Sequence, residues 1–178
     1  MNGVLDYAVT YSSLEVVQYL ISQGADVNAG KGIGDTPLHV AVFQSSDNIV
    51  KCLVAHGADV NGRDNAGNTP LFEAVGYSPR IDRLEYLISQ GADVHAKNNE
   101  GKTALDKALE RVRELEKRGT DPKYAAKMRE AIEILEKAMG ETISQEEVEE
   151  MLFNDGEHPV IPVIKERPHY DFVQETKS

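Results

Sequence analysis

The sequence has few of the residues that build disulfide scaffolds or large aromatic cores. Its 178 residues include one cysteine, Cys52, no tryptophan and 6% aromatic residues. A single cysteine excludes an internal disulfide and matches no zinc-ligand spacing, which favours a reducing compartment. No run of 18 or more apolar residues and no signal-peptide pattern is found, so we expect a soluble, cytoplasmic protein without a membrane partner.

Basic residues are scarce relative to acidic ones. The chain has 19 Lys and Arg against 30 Asp and Glu, a formal net charge of -11. Nucleic acids and anionic membranes attract proteins through Lys and Arg clusters, so neither is predicted as a partner. The imbalance is uneven, because residues 141–178 hold ten acidic and three basic residues. We therefore predict a main domain at 1–139 and a distinct acidic segment at 140–178.

Motifs for catalysis and metal binding are also missing. No nucleophile elbow, zinc-protease motif, dinucleotide fingerprint or kinase signature is present. Cys52 and His56 have a spacing that could bind metal from one helix, but no partner cluster accompanies them. Residues 101–103, Gly-Lys-Thr, match the end of a phosphate loop, but Ala96 stands where that loop needs a glycine. We predict no catalytic residue, no metal and no cofactor.

An internal repeat dominates what the sequence does contain. The phrases GADVNA, GADVNG and GADVHA recur at intervals of 33 and 34 residues, starting at Gly24, Gly57 and Gly91. The phrases TPLHVA, TPLFEA and TALDKA keep the same intervals, starting at Thr36, Thr69 and Thr103. Two phrases that share one period predict stacked copies of a single structural unit.

Each copy contains the signals of two helices and a turn. Thr36 and Thr69 stand at helix N-cap positions, each followed by a proline at the first helical position. A second helix is predicted to end at Gly57, since glycine readily adopts the left-handed conformation. Turn residues in GRDNAGNTP predict a projecting hairpin finger between copies. The apolar residues of the second helix recur at helical spacing: Ile49, Val50, Leu53 and Val54.

These phrases resemble the ankyrin-repeat family, in which a turn and two antiparallel helices accompany a T-P-L-H-x-A signature. The resemblance implies an all-α ankyrin-repeat solenoid of stacked helix-turn-helix units with hairpin fingers. About four repeats, including capping units, cover roughly residues 4–139. The resemblance also implies that His39 connects turns by hydrogen bonds. Phe72 and Asp106 stand at the equivalent positions of the later repeats. By repeat register, residues 101–103 form a hairpin turn.

The ends of the chain depart from the repeat. An extra residue near Ser78 and Pro79 predicts a longer loop in the third unit. The last unit reads as two long helices, 103–118 and 122–139, with Glu136 on a polar outer face. A short acidic helix is predicted after Ser144. The apolar, proline-containing segment after Glu157 is expected to dock either on the repeats or on a partner.

The resemblance implies a concave binding surface made of fingers and exposed positions of the first helices. Exposed aromatic residues are preferred interface anchors, so Tyr11, Phe43 and Tyr77 are interpreted as one binding stripe. Partial burial under the C-terminal segment is the alternative for these apolar positions. The full predicted partner-binding set is Tyr11, Ile33, Asp35, Phe43, Gln44, Asn68, Tyr77, Lys102 and Arg111.

The function predicted from these features is a non-enzymatic protein-protein interaction module that holds or masks one unidentified partner protein. The alternative is an inhibitor or immunity-type protein that masks a toxin or effector with a basic surface, since the chain is small and acidic. An enzyme or metal protein is the third class, disfavoured by the missing motifs. The sequence carries no signal for an oligomeric state.

Overall fold

The computed structural model describes residues 2–30, 34–44, 46–76, 78–118 and 122–140. Within these ranges the chain forms eight α-helices and no β-strand, as the all-α prediction requires. The helices are α1 Asn2–Tyr11, α2 Leu14–Ser22, α3 Pro37–Gln44, α4 Asp47–Ala55, α5 Pro70–Ala74, α6 Ile81–Ser89, α7 Ala104–Lys117 and α8 Pro122–Met139.

The helices form four pairs that stack side by side. Each odd-numbered helix packs against the next even-numbered one, giving units one to four. The first helices α1, α3, α5 and α7 stack in order as an inner layer, while α2 packs on α4 and α6 on α8 in an outer layer. The core lies between these layers and includes Leu5, Val17, Leu38, Leu53, Leu71, Leu84, Leu87, Met128 and Leu135, all nearly inaccessible to solvent.

Glycine ends the second helix of each of the first three units, as predicted. Gly57 has φ +87° and donates its N–H to the carbonyl of Val54 at 3.0 Å. The next amide, Ala58 N–H, reaches back to the Leu53 carbonyl at 3.0 Å. These two bonds satisfy carbonyls that the helix end leaves open, and a residue with a Cβ is strained at this φ.

The fingers are tight hairpin turns. Asp64 N–H donates to the Asn68 carbonyl at 3.0 Å, and Gly67 N–H donates to the Asp64 carbonyl at 3.0 Å. Residues 98–102 repeat this pattern, with Gly101 at φ +78°. The Gly-Lys-Thr phrase at 101–103 is therefore part of a hairpin turn, as the repeat register predicts.

His39 is a structural residue that connects two units, which confirms the role implied by the resemblance. Its side chain is 1% exposed. Nδ1 accepts a hydrogen bond from Thr36 N–H at 3.2 Å, and Nε2–H donates to the Asn68 carbonyl at 3.0 Å. Because Thr36 precedes α3 and Asn68 lies in the next finger, one imidazole fixes the register between units two and three.

The equivalent positions in later units complete this network only in part. Asp106 accepts hydrogen bonds from the Thr103 N–H at 2.7 Å and the Thr103 hydroxyl at 2.8 Å. Phe72 is buried and apolar, and the buried Thr69 hydroxyl has no hydrogen-bond partner among the described residues. Thr69 stands at the N-cap of α5 as predicted, but its side chain forms no capping bond.

Asparagine side chains link successive units at their loops. Asn61 Nδ2 donates to the Gly91 carbonyl at 3.1 Å, and Asn61 Oδ1 accepts from Asp93 N–H at 2.8 Å. Asn28 forms the same pair of bonds one unit earlier. Since each bond spans about one repeat in sequence, these amides hold neighbouring units in a fixed spacing.

The fourth unit has the two long helices that the sequence predicts, but one residue was assigned wrongly. Glu136, expected on the polar exterior, is 7% exposed. It lies four residues after Ile132, which is 2% exposed, and positions four apart share a helix face. The short helix predicted after Ser144 and the segment after Glu157 lie outside the described residues, so their docking stays a prediction.

Candidate protein-binding surface

The predicted site residues lie on the fingers and the inner layer where they can be placed. Ile33 and Tyr77 fall outside the described residues. The remaining members divide between fingers and first helices: Asp35, Asn68 and Lys102 on fingers, Tyr11 on α1, Phe43 and Gln44 on α3, and Arg111 on α7.

A short inner helix opens a groove in this surface. α5 has 5 residues, whereas its neighbours α3 and α7 have 8 and 14. The chain turns away directly after α5, where Arg80 N–H donates to the Ala74 carbonyl at 2.9 Å. The space beside this turn, here called the inner groove, has a volume of about 340 Å³ and is lined by Phe43, Glu73, Val75, Gly76, Lys107, Glu110, Arg111 and Glu114.

Phe43 is the exposed large apolar side chain of the inner groove lining. It is 51% exposed, whereas Val75, the other large apolar residue of the lining, is fully buried. Covering the exposed part of an aromatic ring is favourable because it removes apolar surface from water. Phe43 therefore has the exposure expected of an interface anchor.

Charged side chains make up most of the rest of the groove lining. Arg111 Nη1 lies 2.6 Å from Glu114 Oε2, and Lys107 Nζ lies 3.9 Å from Glu73 Oε1. These pairs are partly exposed, and exposed ion pairs contribute little to stability. Breaking either pair should therefore cost little folding free energy.

Lys102 is engaged by two carboxylates at the finger next to the groove. Its Nζ lies 2.8 Å from Glu110 and 3.2 Å from Glu100. The hydrogen bond with Glu110, followed by the one with Glu100, raises the pKa of Lys102 above its ordinary value. The finger tip thus presents a lysine whose charge is balanced by neighbouring acids.

Two of the aromatic residues interpreted as one stripe, Tyr11 and Phe43, occupy different positions in the repeat. Phe43 corresponds to Thr10 one repeat earlier, whereas Tyr11 corresponds to Gln44. Adjacent positions on a helix point about 100° apart, so Tyr11 and Phe43 face different directions. The Tyr11 ring instead pairs with the Tyr7 ring, with centroids 4.9 Å apart. Tyr77 lies outside the described residues.

The side chains of the finger residues Asp35 and Asn68 have different surroundings. Burial raises the pKa of the half-buried Asp35 carboxyl, with opposing effects from His39, which lowers it, and Asp64, which raises it. Asn68 uses its side chain within the protein, donating to Asp64 Oδ2 at 3.1 Å and accepting from Asn98 Nδ2 at 3.0 Å. Asn68 therefore holds the fingers together.

Arg83 on α6 is a supporting residue that the sequence analysis missed. It is 6% exposed, and its Nε donates to Asp47 Oδ1 at 2.6 Å. Its Nη1 donates to the carbonyls of Ala41 at 3.2 Å and Val42 at 2.6 Å, in the last turn of α3. This turn carries Phe43. The sequence did contain a signal for this role, because Arg83 stands at the position that the apolar Ile49 occupies one unit earlier.

The weak metal candidate gains no further ligand in the structure. Cys52 Sγ lies 3.7 Å from His56 Nδ1, and burial raises the pKa of the Cys52 thiol, which favours its neutral form. The described residues contain no group of three or more His, Cys, Asp or Glu placed to hold a metal ion. In the same part of the chain, no helix is long and apolar enough to span a membrane.

Stacked helix pairs with hairpin fingers and an open, charged inner groove define a helical-repeat protein with a surface suited to protein recognition. A family model described as ankyrin repeats, in 3 copies, matches residues 5–98. The chain belongs to the ankyrin-repeat family, whose members are in general non-enzymatic protein-interaction modules. No curated protein shows significant similarity to the sequence. The fourth unit lies beyond the matched residues but keeps the finger and the helix pair.

Proposed function

We propose that this chain is a non-enzymatic module that binds one partner protein through the inner groove and the adjacent fingers. The observation that carries the proposal is Phe43, half exposed at the edge of a groove of about 340 Å³ on a rigid helical stack. Family membership supports protein binding in general. The groove supports the proposed location, since an anchor beside an existing recess needs little rearrangement on binding.

The charge of the groove favours a partner with a basic surface. Its lining holds Glu73, Glu110 and Glu114 against Lys107 and Arg111, within a chain of net charge -11. An arginine or lysine of the partner that enters the groove would lie over the Phe43 ring with carboxylates nearby. Cation–π contact and charge complementarity would both contribute to this arrangement.

A finer version of this function is inhibition. The net charge of -11 favours an inhibitor or immunity-type protein that covers the basic active surface of a toxin or effector. Such a partner loses activity when it is bound. An assay of the partner's activity with and without this chain therefore separates masking from scaffolding.

The proposal places this binding in the cytoplasm. The lone Cys52, whose burial favours the neutral thiol, fits a reducing compartment. The acidic charge disfavours nucleic acids and anionic membranes as competing partners. The proposed partner is therefore a cytoplasmic protein.

Affinity purification with matched baits tests the proposal. The tagged full chain, a Phe43→Asp chain and a Tyr124→Asp chain are used to capture proteins for mass spectrometry. Tyr124 is 44% exposed on α8, so it controls for an added surface charge away from the groove. We expect one protein to be captured by the wild type and the Tyr124→Asp chain and lost from Phe43→Asp. Equal capture by all three baits contradicts binding through the groove.

A further inference from the structure

Among the described residues, the first unit exposes an apolar surface that the other units lack. Five of the seven large apolar side chains exposed in the described residues belong to α1 and α2. This surface, here called the end face, consists of Val4, Tyr7, Tyr11, Val16 and Tyr19, which are 54%, 64%, 74%, 42% and 63% exposed.

Three of these positions are covered in the next unit. Val16 and Tyr19 correspond to Ile49 and Cys52, 33 residues later, which are 4% and 8% exposed because α2 packs on α4. Likewise Val4 corresponds to Pro37, which is buried under unit one. Val4, Val16 and Tyr19 therefore lie on the stacking side of a repeat, where interior units contact a neighbouring helix pair. Tyr7 and Tyr11 correspond to the half-buried Val40 and the exposed Gln44, and they extend the end face along α1.

The opposite end of the stack has a different character. The solvent side of α8 is charged, in keeping with the polar outer face that ends a repeat stack. Tyr124 is the large apolar residue exposed on this helix. The exposed charged residues of α8 are Lys123, Lys127, Arg129, Glu130, Glu133 and Lys137. Contact between the end face and α8 of another copy would therefore match an apolar surface with a charged one.

Size and charge both mark the end face as a protein contact. Its side chains expose about 500 Å² if a full tyrosine contributes about 200 Å². This is near the upper end of the largest patches on soluble monomers, about 300–600 Å². With a rim of smaller residues it approaches the area of about 800 Å² per partner found in standard interfaces.

The charges around the end face are few. α1 and α2 contain two charged residues, Asp6 and Glu15, whereas the whole chain carries 49 Lys, Arg, Asp and Glu residues, 19 basic and 30 acidic. Two copies with net charge -11 repel each other least where such residues are fewest. The end face is therefore the part of this acidic protein best suited to contact with a second copy.

We propose that two copies of the chain associate through their end faces, with α1 and α2 of each packed against those of the other. Contact between identical patches is related by a two-fold axis and closes at a dimer.

The chain's own segment after Glu157 is the competing occupant. Residues 141–178 hold ten acidic and three basic residues, and the end face offers no basic side chain to attract them. Charge therefore favours the second copy.

The mass of the full chain in solution tests this proposal. Light scattering or sedimentation equilibrium, from micromolar to submillimolar concentration, distinguishes the monomer of 19.6 kDa from a dimer of twice that mass. We expect the wild type to dimerise, and the association to strengthen with salt as repulsion between acidic chains is screened. A wild type that stays monomeric over this range overturns the proposal, whichever segment covers the end face.

Substitutions locate the contact. A chain with both Tyr7→Glu and Tyr19→Glu should be monomeric. The control variant Tyr124→Glu, which makes the same kind of change on α8, should dimerise like the wild type. Tyr7 and Tyr19 are 64% and 63% exposed, so the melting temperature should stay unchanged. If the double variant loses helix content, Val16→Lys replaces it as the test of the contact. A dimer that survives these changes, or that is lost in Tyr124→Glu, overturns the proposal. These substitutions do not change Phe43, so the proposed partner binding is tested separately from dimerisation.

Discussion

At the scale of single residues, His39 connects two units with one buried side chain. Phe72 is buried at the equivalent position of the next unit, so a phenylalanine side chain should fit in place of His39. The substitution His39→Phe leaves the Thr36 N–H without its partner and removes one of the two hydrogen bonds to the Asn68 carbonyl, which keeps the bond from Asp64 N–H. We expect a loss of about 1–3 kcal/mol in the free energy of unfolding, measured by urea denaturation. A His39→Phe chain as stable as the wild type would show that these bonds contribute nothing net.

Arg83 gives a second residue-scale prediction. Arg83→Ala removes the pair with Asp47 and the bonds to the last turn of α3, and it opens a space in the core. We expect a destabilisation of about 2–3 kcal/mol, because two buried hydrogen bonds to carbonyls of α3 are lost and a cavity is left, while the half-exposed Asp47 can be solvated. Arg80→Ala is the control, because Arg80 is exposed in the same segment and should change stability by less than about 0.5 kcal/mol.

The Arg83 experiment also reports on binding. Because Arg83 holds the turn that carries Phe43, we expect Arg83→Ala to weaken partner affinity as well as stability. Equal losses for Arg83→Ala and Arg80→Ala would refute a specific supporting role.

At the scale of elements, the two finger glycines provide a matched comparison. Gly67 and Gly101 have φ of +77° and +78°, so alanine is strained at both, by about 1–2 kcal/mol. A Cβ on Gly67 would lie 2.4 Å from the Asn99 side chain and 2.9 Å from its backbone nitrogen, whereas a Cβ on Gly101 would have no neighbour within 4 Å.

We therefore expect Gly67→Ala to lower stability more than Gly101→Ala does. The difference arises because the added methyl disturbs the contact between fingers, where Asn99 N–H donates to the Ala66 carbonyl at 2.9 Å. Thermal melting of both variants gives the comparison. Equal melting temperatures would mean that the fingers do not support each other.

Repeat phrases made most elements predictable from sequence, because most helix starts and stops are encoded by local residues. Thr103 to Arg118 was predicted as one helix, and α7 spans Ala104–Lys117. The short length of α5 could not be predicted, since TPLFEA reads like TPLHVA and the helix ends through the bond from Arg80 N–H to Ala74.

Features that depend on neighbouring units were less accessible to sequence reasoning. Glu136 looked like an exposed residue of a charged helix, but its burial depends on how α8 packs against α6 and α7. The groove beside Phe43 likewise exists because α5 is short between longer helices. The aromatic stripe was assigned by residue type, and the one-residue offset between Tyr11 and Phe43 separates them on the helix surface.

At the scale of the whole molecule, the acidic charge supports the proposed basic partner and predicts how binding depends on salt. A chain of net charge -11 that recognises a basic protein should bind it more weakly as salt rises, chiefly through slower association. Between about 0.1 M and about 1 M salt the screening length falls from about 10 Å to about 3 Å. Association rates measured over this range should fall steeply. Rates independent of salt would contradict a basic partner.

The affinity of the captured partner for Phe43→Ala tests the central claim most directly. Titration calorimetry compares it with the wild type and Tyr124→Ala, and melting temperature serves as the control for folding. We predict a loss of about 2 kcal/mol, roughly thirtyfold in affinity, for Phe43→Ala, with stability and Tyr124→Ala affinity unchanged. Unchanged affinity for Phe43→Ala would contradict binding through the inner groove.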